Sequence, residues 1–414
     1  MESKAFEQYA SMLVDLVGIQ EGQGLVVKGE PVHWPVVTAI AAAAYHRGAK
    51  FVEPVVDSAA LHRVRVENAP TESLEFIPES RKAWQEQFIR EKWAVISIKS
   101  PDDPDILAGI DPERHGTLSA AYRRADLPWR ERLMADEQQW LIAAAPTPKW
   151  AAKVLDTTPS RESQIKLWQL LKAILRLDHE DPVGFWKEYG KTLQKRGALL
   201  TGLELRAVRF TGEGTELTVG IPERAIWVGG GSRTPEGVEF MANLPTEEVF
   251  TAPDFRKTEG IVRATRPVTV LGDLVEEAVF TFERGKVVHA TASRGEETLK
   301  RFLDMDEGSR YLGEVALVDS SSPIFQSGYT FYNTLLDENA ACHIALGSAY
   351  PDTIEGGLEM SAGELQTAGL NKSLQHTDFM IGSESVDVVG IRRDGGEVEI
   401  MRNGDFVLPE QGES

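Results

Sequence analysis

The sequence predicts an α/β protein in two parts. An N-terminal α/β domain with a parallel sheet is expected over residues 1–190, and a mixed α+β domain rich in strands over residues 191–414. The 414 residues are about two to three times the usual single-domain length. Hydrophobic residues make up 42% of the chain and charged residues 26%, which is typical of globular proteins. Helical and strand patterns alternate in the first half, whereas short β-branched runs dominate the second.

The first half begins with apolar residues at helical spacing over residues 9–17, and glycines at 22 and 24 end that pattern. Four β-rich or apolar runs follow and are predicted strands: residues 25–27, 51–56, 94–98 and 139–144. The alanine-rich segment 36–46 lies between the first two and is a predicted helix. Strands that alternate with helices favour a parallel sheet.

The chain is predicted to be mostly helical from residue 157 to residue 200, and the domain boundary is placed near residue 190. Beyond it, glycine and proline turns separate short strand-like runs at residues 207–210, 217–219, 268–271, 278–280, 287–288 and 386–389. Helices are expected at residues 296–302 and around Leu335. The second half is therefore expected to be mainly sheet.

Composition excludes several classes of protein. The 44 basic and 64 acidic residues give a net charge of -20, which argues against binding of nucleic acid phosphates. Cys342 is the only cysteine, which excludes an internal disulfide and a multi-cysteine metal site. Residues 1–6 do not resemble a secretory signal, and the longest apolar runs are far shorter than the roughly 20 residues of a membrane helix. We therefore expect a cytoplasmic protein without membrane spans.

Two adjacent acids, Glu247 and Glu248, lie in the apolar, proline-bounded segment 243–253. If this segment is a buried strand, one of them faces inward and needs a cation or metal, because burying an isolated charge costs several kcal/mol or more. An edge strand with both acids in water is the alternative. The residue pattern alone does not decide which glutamate faces inward.

Four further candidates lie downstream, in three segments. Glu314 leads the apolar run 315–318, and His343 begins the apolar run 344–346. His376 and Asp378 are two residues apart, so on a strand both side chains project from one face. Glu314 alone is a weak signal, and the others have structural alternatives, namely a hydrogen-bonded pair for His376 and Asp378 and a satisfied core residue for His343.

Together these three acids and two histidines are the ligand mixture that holds two divalent cations, with one carboxylate bridging them. Paired cations polarise a carbonyl oxygen and lower the pKa of a bridging water. The sequence therefore predicts a binuclear hydrolase.

Four segments resemble those of the thermophilic aminopeptidase family, the metallo-aminopeptidases of the aminopeptidase S, T and II type. They are NLPTEEVFTAP at 243–253, GEVALV at 313–318, HIALGSAY at 343–350 and NKSLQHTDFMIGS at 371–383. Further similarity, including residues 22–24, 41–52, 176–178 and 210–212, extends the resemblance over the whole chain.

The resemblance implies an exopeptidase that removes N-terminal amino acids from peptides, with residues 191–414 as its metal-binding catalytic domain. Two divalent ions (zinc, cobalt or magnesium) would be held by Glu248, Glu314, His343, His376 and Asp378, and a metal-bound hydroxide would attack the first peptide bond. Glu314 would be the bridging carboxylate. Tyr350 matches a tyrosine that hydrogen-bonds the tetrahedral intermediate.

Glu338 is close to His343 in sequence, and a general base, an extra ligand and a structural helix-start acid all remain open for it. The resemblance also implies a homodimer and peptide substrates with a free N-terminus. The alternative function is a mononuclear non-haem iron ring-cleaving dioxygenase on a related scaffold. Such an enzyme needs only three ligands, whereas this sequence retains five.

Overall fold

The structure is a computed structural model that describes residues 3–408, with side chains from Phe6 onward. The chain forms two compact units: Met1–Lys187 with Gly231–Pro245, and Glu188–Gly230 with Thr246–Ser414. It therefore passes between the units three times, whereas the sequence analysis placed one boundary near residue 190. That division into domains at residue 190 stays a prediction.

The first part of the chain alternates helices and strands as expected. Its elements are α1 (Ser3–Leu16), β1 (Gly24–Gly29), α2 (Trp34–His46), β2 (Phe51–Val56), α3 (Ala59–Asn68), α4 (Glu79–Arg90), β3 (Ala94–Ile98), α5 (Pro112–Met134), β4 (Trp140–Ala143), α6 (Pro148–Val154), α7 (Arg161–Ile174) and α8 (Pro182–Gly202). Local signals explain several helix starts: Ser160 and Ser163 form a capping box at the start of α7, and the Thr147 hydroxyl accepts the N–H of Trp150 in α6.

Strands β1 to β4 form a parallel sheet in the order β2-β1-β3-β4. All five residues of β3 are buried, as expected for a strand covered on both faces. Segment 242–244 continues along the free side of β4, because the Ile142 N–H donates to the Ala242 carbonyl (2.8 Å) and the Leu244 N–H to the Ile142 carbonyl (2.9 Å). This pairing explains why residues 231–245 pack with the first unit.

The rest of the chain is rich in strands. Its elements are β5 (Leu205–Gly212), β6 (Thr215–Gly220), β7 (Val228–Gly229), β8 (Ser232–Arg233), β9 (Glu239–Phe240), β10 (Glu248–Thr251), β11 (Thr258–Arg263), β12 (Val268–Val270), β13 (Asp273–Val275), β14 (Val279–Glu283), β15 (Lys286–Thr291), α9 (Glu296–Leu303), β16 (Leu312–Val318), α10 (Pro323–Gln326), α11 (Thr334–Asp337), β17 (His343–Gly347), α12 (Ala362–Ala368), β18 (His376–Met380), β19 (Asp387–Arg392), β20 (Glu397–Arg402) and β21 (Asp405–Phe406).

Two larger sheets organise the second unit. One has five strands in the order β18-β17-β16-β10-β7, and the other has eight in the order β15-β14-β11-β6-β5-β19-β20-β21. A core of fully buried side chains, including Phe210, Phe280 and Phe379, packs between elements of this unit. The predicted fold class, a parallel α/β part followed by a strand-rich α+β part, is confirmed.

Within residues 3–408, the helices are too short or too polar to cross a lipid bilayer.

Candidate metal centre

The five-stranded sheet carries Glu248, Glu314, His343, His376 and Asp378 on one face. Residues directly opposite each other on paired strands share a face, as do residues two apart on one strand. The pairs that fix this arrangement are Glu248 with Val318, Ala316 with His343, Glu314 with Ala345, Ala345 with Asp378 and Gly347 with His376. The apolar run that His343 begins forms strand β17, and His376 and Asp378 lie on strand β18, as the two-residue spacing requires if they share a face.

The five side chains form two clusters that share Glu314. In the first, His343 Nε2 lies 3.3 Å from Glu248 Oε2 and 3.3 Å from Glu314 Oε1. In the second, His376 Nε2 lies 3.4 Å from Glu314 Oε2 and 3.4 Å from Asp378 Oδ1. Each oxygen of Glu314 therefore faces a different histidine, which is the arrangement that a bridging carboxylate requires.

Glycine at position 313 allows the chain to present Glu314 in this way. The register between β16 and β17 shifts between Leu312 and Glu314, and a Cβ added at Gly313 would lie 2.3 Å from the carbonyl oxygen of Ser348. A larger residue would therefore push β16 away from the segment after β17. The glycine that opens the segment 313–318 has a structural reason.

Both histidines are oriented by the backbone. The Nδ1–H of His343 donates to the Ala341 carbonyl (3.2 Å), and that of His376 donates to the Ser348 carbonyl (2.7 Å). A carbonyl partner at Nδ1 places the lone pair of neutral imidazole on Nε2, which faces the carboxylates. This is the tautomer and orientation of a metal-ligating histidine.

The cluster is buried, and this dictates its electrostatics. Burial opposes the charge of Glu314, but its contacts with His343 and His376 outweigh burial and lower the pKa of Glu314 to about 2. Burial also opposes charge on His343 and His376, and the facing carboxylates outweigh it and raise the pKa of both imidazoles well above the usual value. The negative charge of the carboxylates thus favours positive charge on each histidine.

The donor set fits divalent cations. Within the described part of the chain, Glu248 Oε2 is a buried oxygen without a hydrogen bond, although His343 Nε2 lies 3.3 Å away. Burial raises the pKa of Glu248, against the opposing contact with His343. A cation between the carboxylates and the imidazole nitrogens would satisfy both groups, since oxygen and imidazole donors suit zinc and related ions.

The structure distinguishes the two adjacent glutamates. Both are buried, at 2% exposure for Glu247 and 7% for Glu248, so the alternative of an edge strand with both acids in water is wrong. Only Glu248 belongs to the cluster. The N–H of Glu247 instead donates to Asn339 Oδ1 at 2.6 Å.

Tyr350 and Glu338 both lie close to the cluster. The ring of Tyr350 packs against that of His376 with centroids 4.8 Å apart and planes inclined by 52°, and burial followed by the charges of Glu314 and Asp378 raises the pKa of its phenol. Glu338 is partly buried in a turn after α11, and burial together with the charges of Glu248 and Asp378 raises its carboxyl pKa well above the usual value. Both groups are therefore electrostatic neighbours of the five clustered side chains.

Two residues that the sequence analysis did not single out hold Glu338 in position. The carboxylate of Asp337 accepts the N–H groups of Phe331 (2.8 Å) and Asn333 (3.0 Å). The amide of Asn339 accepts from the Glu247 backbone and donates to the Leu335 carbonyl (2.9 Å). Asp337 and Asn339, on either side of Glu338, thus have structural hydrogen-bond partners. Only the folded structure reveals these partners.

Cys342 is a buried small residue. It is 2% exposed, lies against Met401, and burial raises the pKa of its thiol to about 11. A thiol in this state is a poor nucleophile.

Comparison with known proteins gives concordant results. Residues 2–406 match the model of a family described as thermophilic metalloprotease (M29). The chain is 39% identical to aminopeptidase 2 of Geobacillus stearothermophilus over 98% of both chains. It is 38% identical to aminopeptidase AmpS of Bacillus subtilis over 98% of this chain and 99% of the relative, and 38% identical to aminopeptidase T of Thermus aquaticus over 98% and 100%.

A solved structure shares the fold. Wild-type AmpT from Thermus thermophilus superimposes with a TM-score of 0.91 at 37% sequence identity, covering 98% of this chain and 100% of that one. The similarity thus includes both compact units.

Proposed function

This chain belongs to the thermophilic metalloproteases (M29) and is a metal-dependent aminopeptidase, and we propose that it works with two divalent cations bound side by side. Its substrates are peptides with a free N-terminus, from which it releases the first amino acid. Glu248, Glu314 and His343 hold one cation, and Glu314, His376 and Asp378 hold the other.

The observation that carries the two-cation proposal is the position of Glu314. Its two oxygens lie 3.3 Å from His343 Nε2 and 3.4 Å from His376 Nε2, at the junction of the two clusters. A single-cation site would not need a carboxylate shared between two complete sets of ligands. The hydrogen bonds from both Nδ1 atoms to backbone carbonyls support the same assignment.

When bound, the two cations supply Lewis acidity, which polarises the scissile carbonyl and lowers the pKa of a water molecule. The chain's own groups position the reactants and move the protons. We assign Glu338 as general base: it takes a proton from the attacking water and delivers it to the leaving amine as the C–N bond breaks. This assignment is supported by the charges of Glu248 and Asp378, which act on the Glu338 carboxyl. It is also supported by the hydrogen bonds that fix Asp337 and Asn339 on either side of Glu338.

Tyr350 is proposed to donate its phenol hydrogen to the oxyanion that forms from the carbonyl oxygen. Tyr350→Phe keeps the ring on His376 but removes the donor, so kcat is expected to fall about 10²–10³-fold, the usual cost of one such hydrogen bond. Metal content measured by elemental analysis should be unchanged. A normal kcat in Tyr350→Phe would remove the phenol from the mechanism.

The proposed function is tested by hydrolysis of aminoacyl-p-nitroanilides and short peptides. Protein treated with a chelator is supplied with zinc, cobalt, magnesium or iron, and released amino acids are identified. Single N-terminal residues should be released with a non-redox metal, and N-acetylated peptides should remain intact because they lack the free amine. Internal cleavage, or equal cleavage of N-acetylated peptides, would contradict the proposal.

The identity of the ions is part of the proposal. Two imidazole nitrogens with carboxylate oxygens suit zinc or cobalt, whereas the carboxylates also admit magnesium. The resemblance to the family supports a homodimer in the cytoplasm. The alternative of an iron dioxygenase has no support in the comparisons, and the relatives are aminopeptidases by name.

A further inference from the structure

A row of side chains crosses the metal-binding face of the five-stranded sheet and ends in two apolar residues. Phe250 of β10 lies opposite Ala316 of β16 on one side and opposite Val228 of β7 on the other. Ala316 in turn lies opposite His343. Phe250 therefore shares the face of the proposed ligands and is separated from His343 by one small residue.

Phe250 is partly exposed beside this buried cluster, and so is Val228. Adjacent strands lie about 4.8 Å apart, which places the Phe250 backbone about 10 Å from that of His343. An aromatic ring that is neither fully buried nor far from the cluster can contact a bound substrate.

The ring of Phe250 also contacts Tyr350. The two rings meet edge to face with centroids 6.1 Å apart, and Tyr350 in turn packs against the ring of His376. Phe250, Tyr350 and His376 thus form a continuous aromatic surface that begins at the cluster.

We propose that Phe250 is one wall of the pocket that receives the side chain of the substrate's first residue, and that it favours apolar side chains there. This inference rests on the proposed aminopeptidase function and deepens it. Phe250 determines specificity and takes no part in proton transfer.

The contact between Phe250 and Tyr350 indicates which residue of the substrate meets Phe250. Tyr350 is assigned to the scissile carbonyl oxygen, and that carbonyl belongs to the first residue of the peptide. The Cα that carries the first side chain is bonded directly to the carbonyl carbon, whereas the second residue begins beyond the nitrogen. The neighbour of Tyr350 is therefore best placed to contact the first side chain.

The chemistry of the wall sets the preference. Phe250 and Val228 offer apolar surface, whereas Glu248 lies two residues before Phe250 on β10 and the other charged side chains of the cluster lie on β16 to β18. Burying an apolar side chain against such a wall is favourable, whereas a charged one would lose hydration without a partner. Leucine and phenylalanine should gain from the contact, and alanine much less.

A purely structural role of Phe250, in which it supports Tyr350, predicts a different result. If Phe250 only holds Tyr350 in place, its loss slows every substrate by the same factor. If Phe250 contacts the first side chain, its loss slows large apolar residues selectively. The ratio of kcat/KM for leucine over alanine substrates separates the two roles.

The experiment compares wild type, Phe250→Ala, Phe250→Leu and Tyr350→Phe in the metal-loaded enzyme. The substrates are p-nitroanilides of leucine, phenylalanine, alanine and lysine, together with dipeptides that keep leucine first and vary the second residue. For Phe250→Ala, we expect kcat/KM to fall about tenfold for leucine and phenylalanine and less than about threefold for alanine. Phe250→Leu should fall between wild type and Phe250→Ala, and it provides the same ratio if the alanine variant does not fold.

Tyr350→Phe serves as the contrast, because it should slow all four p-nitroanilides alike. An equal loss on all substrates in the Phe250 variants, an unchanged leucine-to-alanine ratio, or a change confined to the second residue of dipeptides would overturn the inference. Failure of the wild type to release amino acids would instead overturn the proposed function. The two failures are therefore distinguishable.

Discussion

Glu314→Gln is expected to reduce kcat/KM by at least about a thousandfold and to remove bound metal from both clusters. Glutamine has nearly the same shape as glutamate but no charge, and its NH₂ group has no lone pair to offer a cation. Each oxygen of Glu314 faces a different histidine, so the substitution removes an oxygen ligand from one proposed site and the shared negative charge from both. The measurements are kcat/KM on a leucine p-nitroanilide and metal content by elemental analysis.

Glu247→Gln is the matched control. Glu247 is as buried as its neighbour Glu248 but lies outside the cluster, so metal content and kcat should stay close to wild type. Thermal unfolding of both variants shows whether either has lost its fold. Retention of metal and activity in Glu314→Gln, or their loss in Glu247→Gln alone, would contradict the ligand assignment.

Removal of metal with a chelator is expected to abolish activity and to lower Tm. Three buried carboxylates of the cluster, Glu248, Glu314 and Asp378, face one another across two histidines. Cations that bind only the folded chain stabilise it by about 2.7 kcal/mol when present at a hundred times Kd. For a unit of this size, the corresponding change in Tm is about 5–10 °C.

The same chelator treatment of Glu314→Gln, followed by the same measurement of Tm, provides the control. This variant should show little difference in Tm with and without metal, because its sites no longer bind. An equal Tm for wild type before and after chelation, with full activity retained, would mean that no structural or catalytic metal is present.

Much of the fold can be predicted from local patterns. Strands β3 and β16 are short, mainly apolar runs, which are typical of buried strands and not of surface elements. All of their residues are buried. The spacing of His376 and Asp378 also predicts one face correctly, because side chains alternate along a strand. These features depend only on residues close in sequence.

Other features depend on long-range pairing and are invisible in the sequence. The order β18-β17-β16-β10-β7 sets Phe250 in the same row as His343, although 93 positions separate them in the chain. The segment 243–253, read as one strand, instead divides: residues 242–244 pair along β4 and Glu248–Thr251 forms β10. The hydrogen bonds from backbone N–H groups to the side chains of Asp337 and Asn339 likewise leave no recognisable pattern in the sequence.

The two-cation site is tested most directly by titrating metal into metal-stripped protein, with bound ions per chain and kcat measured at each step. Two ions per chain are predicted at full activity, and Glu314→Gln should bind neither ion tightly. Full activity with one ion per chain, and no further change when a second is offered, would contradict the shared Glu314 site.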